Sequence, residues 1–471
     1  MARVLDSLAI GTRGRATNGQ WGGDSLELND GSRVAVIGGG PAGSLFSYFL
    51  LKTATAVDLT IDVDIFDPRS FTRCGPGGCN HCGGIVSESL VQILAAEGIK
   101  LPPGVVRRGI ESYVVHMDVG SVRIESPVGE RRIAALYRGH GPREGEDAPG
   151  TSFDNFLMDM AVERGARVVR KLVTGIDWSG DLPRLLEPDG TASPYDLVCI
   201  ATGVNSNFVR LLEGSGVELR MPETTRTYIC EFRTGDENLE ERLGHAMHVF
   251  LLDIPRLEFA AFIPKGEFVT MCLLGDDVDQ DLVHTFLTSP EVRRCLPVDE
   301  LPCVCTCSPM INVRGTSQPF ADRLVVVGDS GVTRLYKDGI GAAFRTAKSA
   351  ATTAVIQGIS EEAFRRTYLP TCKAISSDNA IGRVMFAFTH VFKHARFTRR
   401  AILRKTTREQ SAAGSAKRLS FVLWNMFTGS APYREIFVSA LHPGFVGGLA
   451  WNLAAGVWPK RRRKELADAA R

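Results

Sequence analysis

The chain lacks an internal repeat, a low-complexity tract and a long unbroken apolar run. The first absence excludes a solenoid or propeller, the second a disordered polymer, and the third a confident membrane span. A charge excess is missing too: 55 Lys and Arg stand against 53 Asp and Glu, a net charge of +2. That balance offers no general electrostatic case for nucleic acid, and none is expected as a partner. Residues 1–31 are polar and Gly-rich, with no apolar core suited to export, and read as a flexible N-terminal arm. Eleven cysteines, an odd number, are scattered without a secretory segment. They argue for reduced thiols and a cytoplasmic setting over a disulfide framework. What is present is ordinary: 471 residues, 44% hydrophobic and 23% charged, enough for two to four domains with a large core.

Against that background the glycines are informative. Val34-Ala35-Val36-Ile37 reads as a buried parallel strand, and Gly38-Gly39-Gly40-Pro41-Ala42-Gly43 opens an apolar helix through Leu51. This is G-x-G-x-x-G in the context it requires. Gly38 allows the tight turn, Gly40 lets backbone approach a pyrophosphate, and Gly43 lets helix and strand touch. The free N–H groups of the helix start, including those of Ala42 and Gly43, face the phosphates. A second strand, Thr60 to Phe66, ends at Asp67, 24 residues beyond Gly43. A carboxylate there suits both ribose hydroxyls of an adenosine.

Two further strands end in small residues. Leu324 to Val327 runs into Gly328-Asp329-Ser330, a variable loop, and Asp338-Gly339-Ile340-Gly341-Ala342-Ala343 at the head of an Ala-rich helix. Asp196 to Ile200 runs into Ala201-Thr202-Gly203, where small side chains let the chain pass close to a ligand. The order strand, Gly-Asp, loop, G-x-G, helix resembles the flavin-proximal motif of FAD enzymes of the hydroxylase and geranylgeranyl reductase superfamily. The resemblance implies that Asp329 holds the ribitol chain. It also implies that the helix start, Gly339 to Ala342, faces the pyrimidine edge of the isoalloxazine, where a helix N-terminus favours an anionic reduced ring.

Which branch is resembled rests on Cys79-Asn80-His81-Cys82-Gly83-Gly84-Ile85, which is similar to the Cys-Gly-Gly segment of geranylgeranyl reductases. In that family the loop borders the flavin and the substrate cavity, so Cys82, Gly83 and Gly84 become cofactor-side residues and Cys82 the catalytic candidate. Ser152 to Leu157 before a helix and the hairpin Phe262-Ile263-Pro264-Lys265-Gly266 agree with that layout. Aromatic hydroxylases show Ala-Asp-Gly where this chain has Ala201-Thr202-Gly203. Halogenases carry Trp-x-Trp-x-Ile-Pro, and no such run occurs here.

Cysteines raise a metal reading. Cys74, Cys79 and Cys82 form C-x4-C-x2-C beside His81, and Cys303, Cys305 and Cys307 alternate. Neither run has paired C-x-x-C knuckles, so no residue is assigned to a metal. The alternating three are expected on one face of a strand, as small buried packing groups. Cys82 has three open roles: shaping the pocket, delivering a proton, or exchanging with Cys79 as a redox pair.

Charge is uneven near the C-terminus. Arg383 to Arg418 carries ten Lys or Arg against the single acid Glu409, and an apolar stretch from Leu441 to Trp458 is closed by Lys460-Arg461-Arg462-Arg463-Lys464. Two readings stand: a surface for anionic membrane headgroups, or a helical lid with a solvated basic face.

The expected fold class is α/β: a Rossmann-like FAD-binding sheet, an interleaved antiparallel β substrate domain and a helical C-terminal region. Segments 32–108, 150–210 and 315–360 are assigned to the first, 109–149 and 211–314 to the second, and 361–471 to the third. The resemblance implies an FAD-dependent oxidoreductase, with hydride transfer from reduced FAD to a carbon-carbon double bond of an isoprenoid or other small apolar substrate. Only one G-x-G-x-x-G has its strand and helix, so NAD(P)H visiting the same pocket, or a ferredoxin, is the expected electron donor. Rival readings are a flavin monooxygenase and a non-catalytic nucleotide- or metal-binding regulator.

Overall fold

The computed structural model describes residues 26–71, 82–126, 133–142, 152–206, 209–212, 215, 221–297, 301–411, 417–443 and 447. Cys74, Cys79, Asn80, His81, Asn207, Phe208 and the basic run Lys460 to Lys464 lie outside the described residues.

A six-stranded sheet anchors the chain, in the order Phe320–Ala321, Leu324–Val326, Leu197–Ile200, Arg33–Ile37, Asp62–Phe66 and Arg167–Val169. All but the first strand run parallel. Both faces of these strands are apolar, as a parallel sheet covered on each side needs: helices pack on one face, and the three-stranded sheet Gly175–Asp177, Arg184–Leu186 and Ala192–Pro194 with the short helix Val209–Leu212 packs on the other. The helix Pro41–Ala56 crosses the Ala-rich helix Gly339–Ile356, with Phe49 set edge-on to Phe344 at 5.3 Å. Ala342, Ala343, Ala347 and Ala350 keep that crossing close.

A second, seven-stranded sheet takes the order Cys303–Cys307, Tyr228–Arg233, Phe268–Gly275, Leu257–Lys265, Ala246–Phe250, Ser112–Met117 and Gly120–Glu125. It is antiparallel except for one pair, Ala246–Phe250 beside Ser112–Met117, which runs parallel. The inner strands alternate between two cores rather than between core and water. Tyr228, Cys230, Phe232 and Phe262 share one cluster, and Ile229, Ala261, Ile263 and Cys272 share another on the opposite face. The helices Arg396–Ser411 and Arg418–Thr428 cover the second of these faces, and Trp424 meets Tyr113 edge-on at 4.9 Å.

Three sequence expectations are corrected. The alternating cysteines do form an edge strand, but the pairing register slips between Glu231 and Phe232. Cys305 and Cys307 stand opposite Glu231 and Ile229, while Cys303 stands opposite Phe232. A one-residue bulge turns a side chain to the other face. The three thiols are therefore split, and none is fully buried. Residues 26–31, placed in a loose arm, are docked: Ile359 N–H donates to the Leu26 carbonyl at 2.7 Å, and Gly31 N–H to that of Thr60 at 2.8 Å. Part of the basic C-terminal charge is also inward. Arg399 bonds Asp118 at 2.6 and 3.0 Å, and the Lys393 ammonium donates to the Leu257 carbonyl. Among the described residues no helix is long and apolar enough to cross a membrane.

Candidate active site

The two remote glycine turns meet. A Cβ added at Gly328, whose φ is +66°, would lie 2.6 Å from the Cβ of Ala42, and one at Gly38 would lie 2.6 Å from the Ala201 carbonyl. Parallel pairing of Arg33–Ile37 with Leu197–Ile200, and of the latter with Leu324–Val326, brings all three strand ends to one edge. Ligands bind at that carboxyl edge in open α/β sheets. Gly43 is confined differently: its Cβ would fall 1.9 Å from the Gly38 carbonyl, so only glycine lets this helix sit on its turn.

A cavity of about 320 Å³ opens where these ends converge. Gly40, Pro41 and Ala42 line it from the first helix start, Ala201, Thr202 and Gly203 from the middle strand, and Asp329, Gly339 and Ile340 from the last segment. Cys82, Gly83 and Gly84 close one side. Gly38, Gly43, Gly328, Gly341 and Ala342 stand behind this wall as packing residues. Asp67 lies apart from the cavity wall. Its carboxylate accepts from Gly39 N–H at 2.8 Å and from the Arg69 guanidinium at 2.9 and 3.1 Å. A ribose would have to displace the half-exposed Arg69 side chain.

Two helix N-termini and several cations give the cavity a positive character. Sequence reading missed one of them. Arg138 follows the strand Ile133–Leu136 and grips Asp154 with two bonds, 3.0 and 2.8 Å. Its guanidinium is the nearest group to the open side of Gly40, at 3.4 Å from an added Cβ. Asp154 is fully buried in the first turn of the Phe153–Val162 helix, and burial lifts its carboxyl above the ordinary range although Arg138 opposes the rise. The signal available was Asp154 itself, noted only as part of a helix start.

Two polar atoms without partners among the described residues also line the cavity. They are Asn312 Oδ1 and Thr333 Oγ1, both buried. Asn312 Nδ2 donates to the Asp329 carbonyl at 2.9 Å, which orients the residue beside that segment. Buried polar atoms left unpaired cost about 1–3 kcal/mol each, which a polar ligand would relieve.

The loop between Ser330 and Gly339 is held in place by its surroundings. Tyr336 and Asp338 adopt left-handed φ of 59° and 56°. Asp338 is clamped by Arg334 at 3.3 Å and Arg345 at 2.8 Å, and Leu335 N–H donates to Asn379 Oδ1 at 2.9 Å. The Lys337 ammonium donates to the carbonyls of Asn425, at 2.7 Å, and Met426. Burial, with help from Arg334, pushes its pKa well below the usual lysine range. Strain in such a loop persists only when its surroundings hold it. Here the C-terminal helix Arg418–Thr428 does so, and its Phe427 and Thr428 reach the cavity.

Behind Gly84 lies a buried polar group. A Cβ on Gly84 would strike the Leu136 carbonyl at 1.9 Å and the Lys265 ammonium at 2.9 Å. Lys265 sits 4.5 Å above the Tyr137 ring without a hydrogen-bond partner among the described residues. Glu231 accepts from Thr270 at 2.8 and 2.9 Å, and burial raises its carboxyl while Lys265 lowers it. Cys82 faces the cavity in front of this group and accepts from Gly84 N–H at 3.4 Å.

No protein-family model and no curated protein matches this sequence. Solved structures do. A geranylgeranyl bacteriochlorophyll reductase-like protein from Thermoplasma acidophilum superposes with a TM-score of 0.56 at 15% identity, covering 90% of this chain and 99% of its own. The p-nitrophenol 4-monooxygenase of Pseudomonas putida gives 0.59 at 15%, covering 86% and 99%. A variant of the halogenase PltM in complex with FAD gives 0.58 at 13%, covering 93% of each. This is the fold of the FAD-dependent flavoproteins. It is shared with the halogenase despite the missing Trp-x-Trp-x-Ile-Pro run.

Proposed function

We propose that the cavity binds FAD and that the chain is an FAD-dependent oxidoreductase reducing carbon-carbon double bonds of an isoprenoid or similarly apolar substrate. One observation carries the reading: both glycine-led helix starts and the Cys82-Gly83-Gly84 loop meet at a cavity that has a polar part, with Arg138, Asn312 and Thr333, and an apolar part, with Ile229, Met247, Phe259, Ala261, Ile263 and Phe427. A dinucleotide with a polar tail and an apolar partner matches that division.

The donor set fits FAD. Backbone N–H groups at Ala42 and Gly43, with Arg138 beside Gly40, suit the diphosphate. Asp329, with the unpaired oxygens of Asn312 and Thr333, suits the ribitol hydroxyls. The helix start at Gly339 suits an electron-rich ring edge. Bound and reduced, FAD would supply a hydride. The chain's own task is to hold an alkene against the apolar wall, keep water out, and deliver a proton from the Cys82 thiol to the second carbon. Gly83, whose added Cβ would lie 3.0 Å from Cys272 Sγ, keeps that loop close to the wall. NAD(P)H or a ferredoxin remains the proposed electron source.

A monooxygenase reading is favoured by one finding, the match to p-nitrophenol 4-monooxygenase, which is as good as that to the reductase-like protein. Anaerobic photoreduction followed by candidate substrates separates the two. Reoxidation by polyprenyl alkenes without oxygen supports the reductase. Reoxidation by oxygen alone, with hydroxylated product, supports the monooxygenase. Two variants refine the test. Asp329→Ala is expected to weaken FAD retention roughly tenfold through loss of a charged acceptor, read by flavin fluorescence after gel filtration. Cys82→Ser is expected to slow alkene-dependent reoxidation on the order of 100-fold, the worth of a general acid, with flavin content unchanged. An unaltered rate would remove Cys82 from the proton path.

A further inference from the structure

We propose that His116, His248 and Cys295 form a site for a divalent transition metal of the zinc class, on the face of the seven-stranded sheet turned away from the cavity. Strand pairing creates the site. Ser112–Met117 and Ala246–Phe250 run parallel with Val114 opposite His248 and His116 opposite Phe250, so both imidazoles project from one face. Met247, the neighbour of His248, lines the cavity from the other face. The short helix Pro290–Cys295 then brings a thiol to the pair.

The ligand atoms already converge. His116 Nε2 lies 2.9 Å from His248 Nδ1, Cys295 Sγ lies 3.1 Å from that same Nδ1, and all three atoms fall within 4.8 Å of one another. A tetrahedral zinc ion with ordinary bond lengths spaces two nitrogens by about 3.3 Å and a nitrogen and sulfur by about 3.5 Å. Ring rotations that open the group by a few tenths of an ångström would admit the ion.

The outer nitrogens are anchored as metal-binding histidines require. His248 Nε2 lies 3.4 Å from the Leu243 carbonyl. A carbonyl only accepts, so that nitrogen carries the proton and Nδ1 presents its lone pair inward. His116 Nδ1 lies 2.8 Å from Ser121 Oγ, which frees Nε2 in the same way when the hydroxyl accepts. Burial lowers both imidazoles, His116 to about 4 with Arg294 contributing and His248 to about 3 with His116 contributing. Both are thus neutral, the ligating form. Burial pushes the Cys295 thiol up to about 12, with Arg242 opposing. Binding would form a metal–sulfur bond as the S–H bond breaks, with the proton released to buffer. Two nitrogens and a sulfur select zinc-class ions over magnesium or calcium, which prefer oxygen.

The test uses the full chain, stripped with chelator and titrated with Co²⁺ and then Zn²⁺. One equivalent of Co²⁺ is expected to give ligand-field bands to the red of flavin absorption and a thiolate charge-transfer band, both erased by Zn²⁺. Cys295→Ser should remove the charge-transfer band. Ser121→Ala, which leaves the three ligands in place, should weaken Zn²⁺ about tenfold in competition with a chromophoric chelator. A wild-type protein that takes up no stoichiometric Co²⁺ would overturn the proposal. So would a spectrum that survives His248→Ala and disappears with Cys303→Ser, Cys305→Ser and Cys307→Ser together. Should His248→Ala fail to fold, the wild-type and Ser121→Ala titrations decide alone.

Discussion

Gly40→Val is expected to give a folded protein that is purified colourless. A Cβ at Gly40 would touch only the Arg138 guanidinium, at 3.4 Å, and Asp154, at 3.9 Å, so the strand-to-helix turn tolerates it. The valine methyls would instead stand where backbone must approach the diphosphate. A steric penalty of about 3 kcal/mol corresponds to FAD binding on the order of 100-fold weaker, measured by flavin titration, with thermal unfolding close to that of the wild-type apoprotein. Gly43→Ala supplies the contrast. Its Cβ would fall 1.9 Å from the Gly38 carbonyl, so the helix must lift off the turn and the protein itself should be destabilised. Equal flavin affinity in Gly40→Val and wild type would refute the assignment of this turn to the diphosphate.

The second large effect lies at a pair that no sequence motif announced. Arg138→Ala leaves the fully buried Asp154 carboxylate without its two charge-assisted bonds. Removing one partner of a buried pair costs about 3–5 kcal/mol. Asp154 is already raised by burial, and losing Arg138 raises it further. The sign follows from linkage: below about pH 4 the carboxyl is protonated in folded and unfolded chains alike, so the loss is smallest there. It grows as pH climbs toward the folded pKa. Denaturant midpoints of variant and wild type across acid to neutral pH check this, and a pH-independent difference would contradict it. Arg138→Met combined with Asp154→Leu is expected to recover most of the stability, since apolar replacements of a buried pair are tolerated. Flavin retention should stay impaired, because the cation beside Gly40 is gone.

Local constraint explains what could be read in advance. The turn at Gly38 to Gly43 demands glycine because of distances spanning a few residues and one strand neighbour, and such demands are written into composition. Gly328 is equally local in one respect, its own left-handed φ of +66°. The Cys82-Gly83-Gly84 loop was also placed beside the site, yet the reason for Gly84 was hidden. Its crowding comes from Leu136 and from Lys265 on a distant hairpin. Alternation from Thr227 to Phe232 is legible in the sequence, but two-sided burial is not, because the second covering layer arrives from the C-terminal helices after residue 380.

From the sequence alone came the βα turns, the small residues at strand ends and the expectation of an α/β flavoprotein, all of which depend on backbone geometry within a short span. Only the tertiary structure decided that Arg138, Asn312 and Thr333 face one cavity, that a bulge separates Cys303 from Cys305, and that His116 meets His248 and Cys295. The reason is physical. Backbone conformation is set by neighbours in the chain, whereas convergence of side chains is set by strand register and helix packing summed over hundreds of residues, and one slipped pair reverses which face a residue joins.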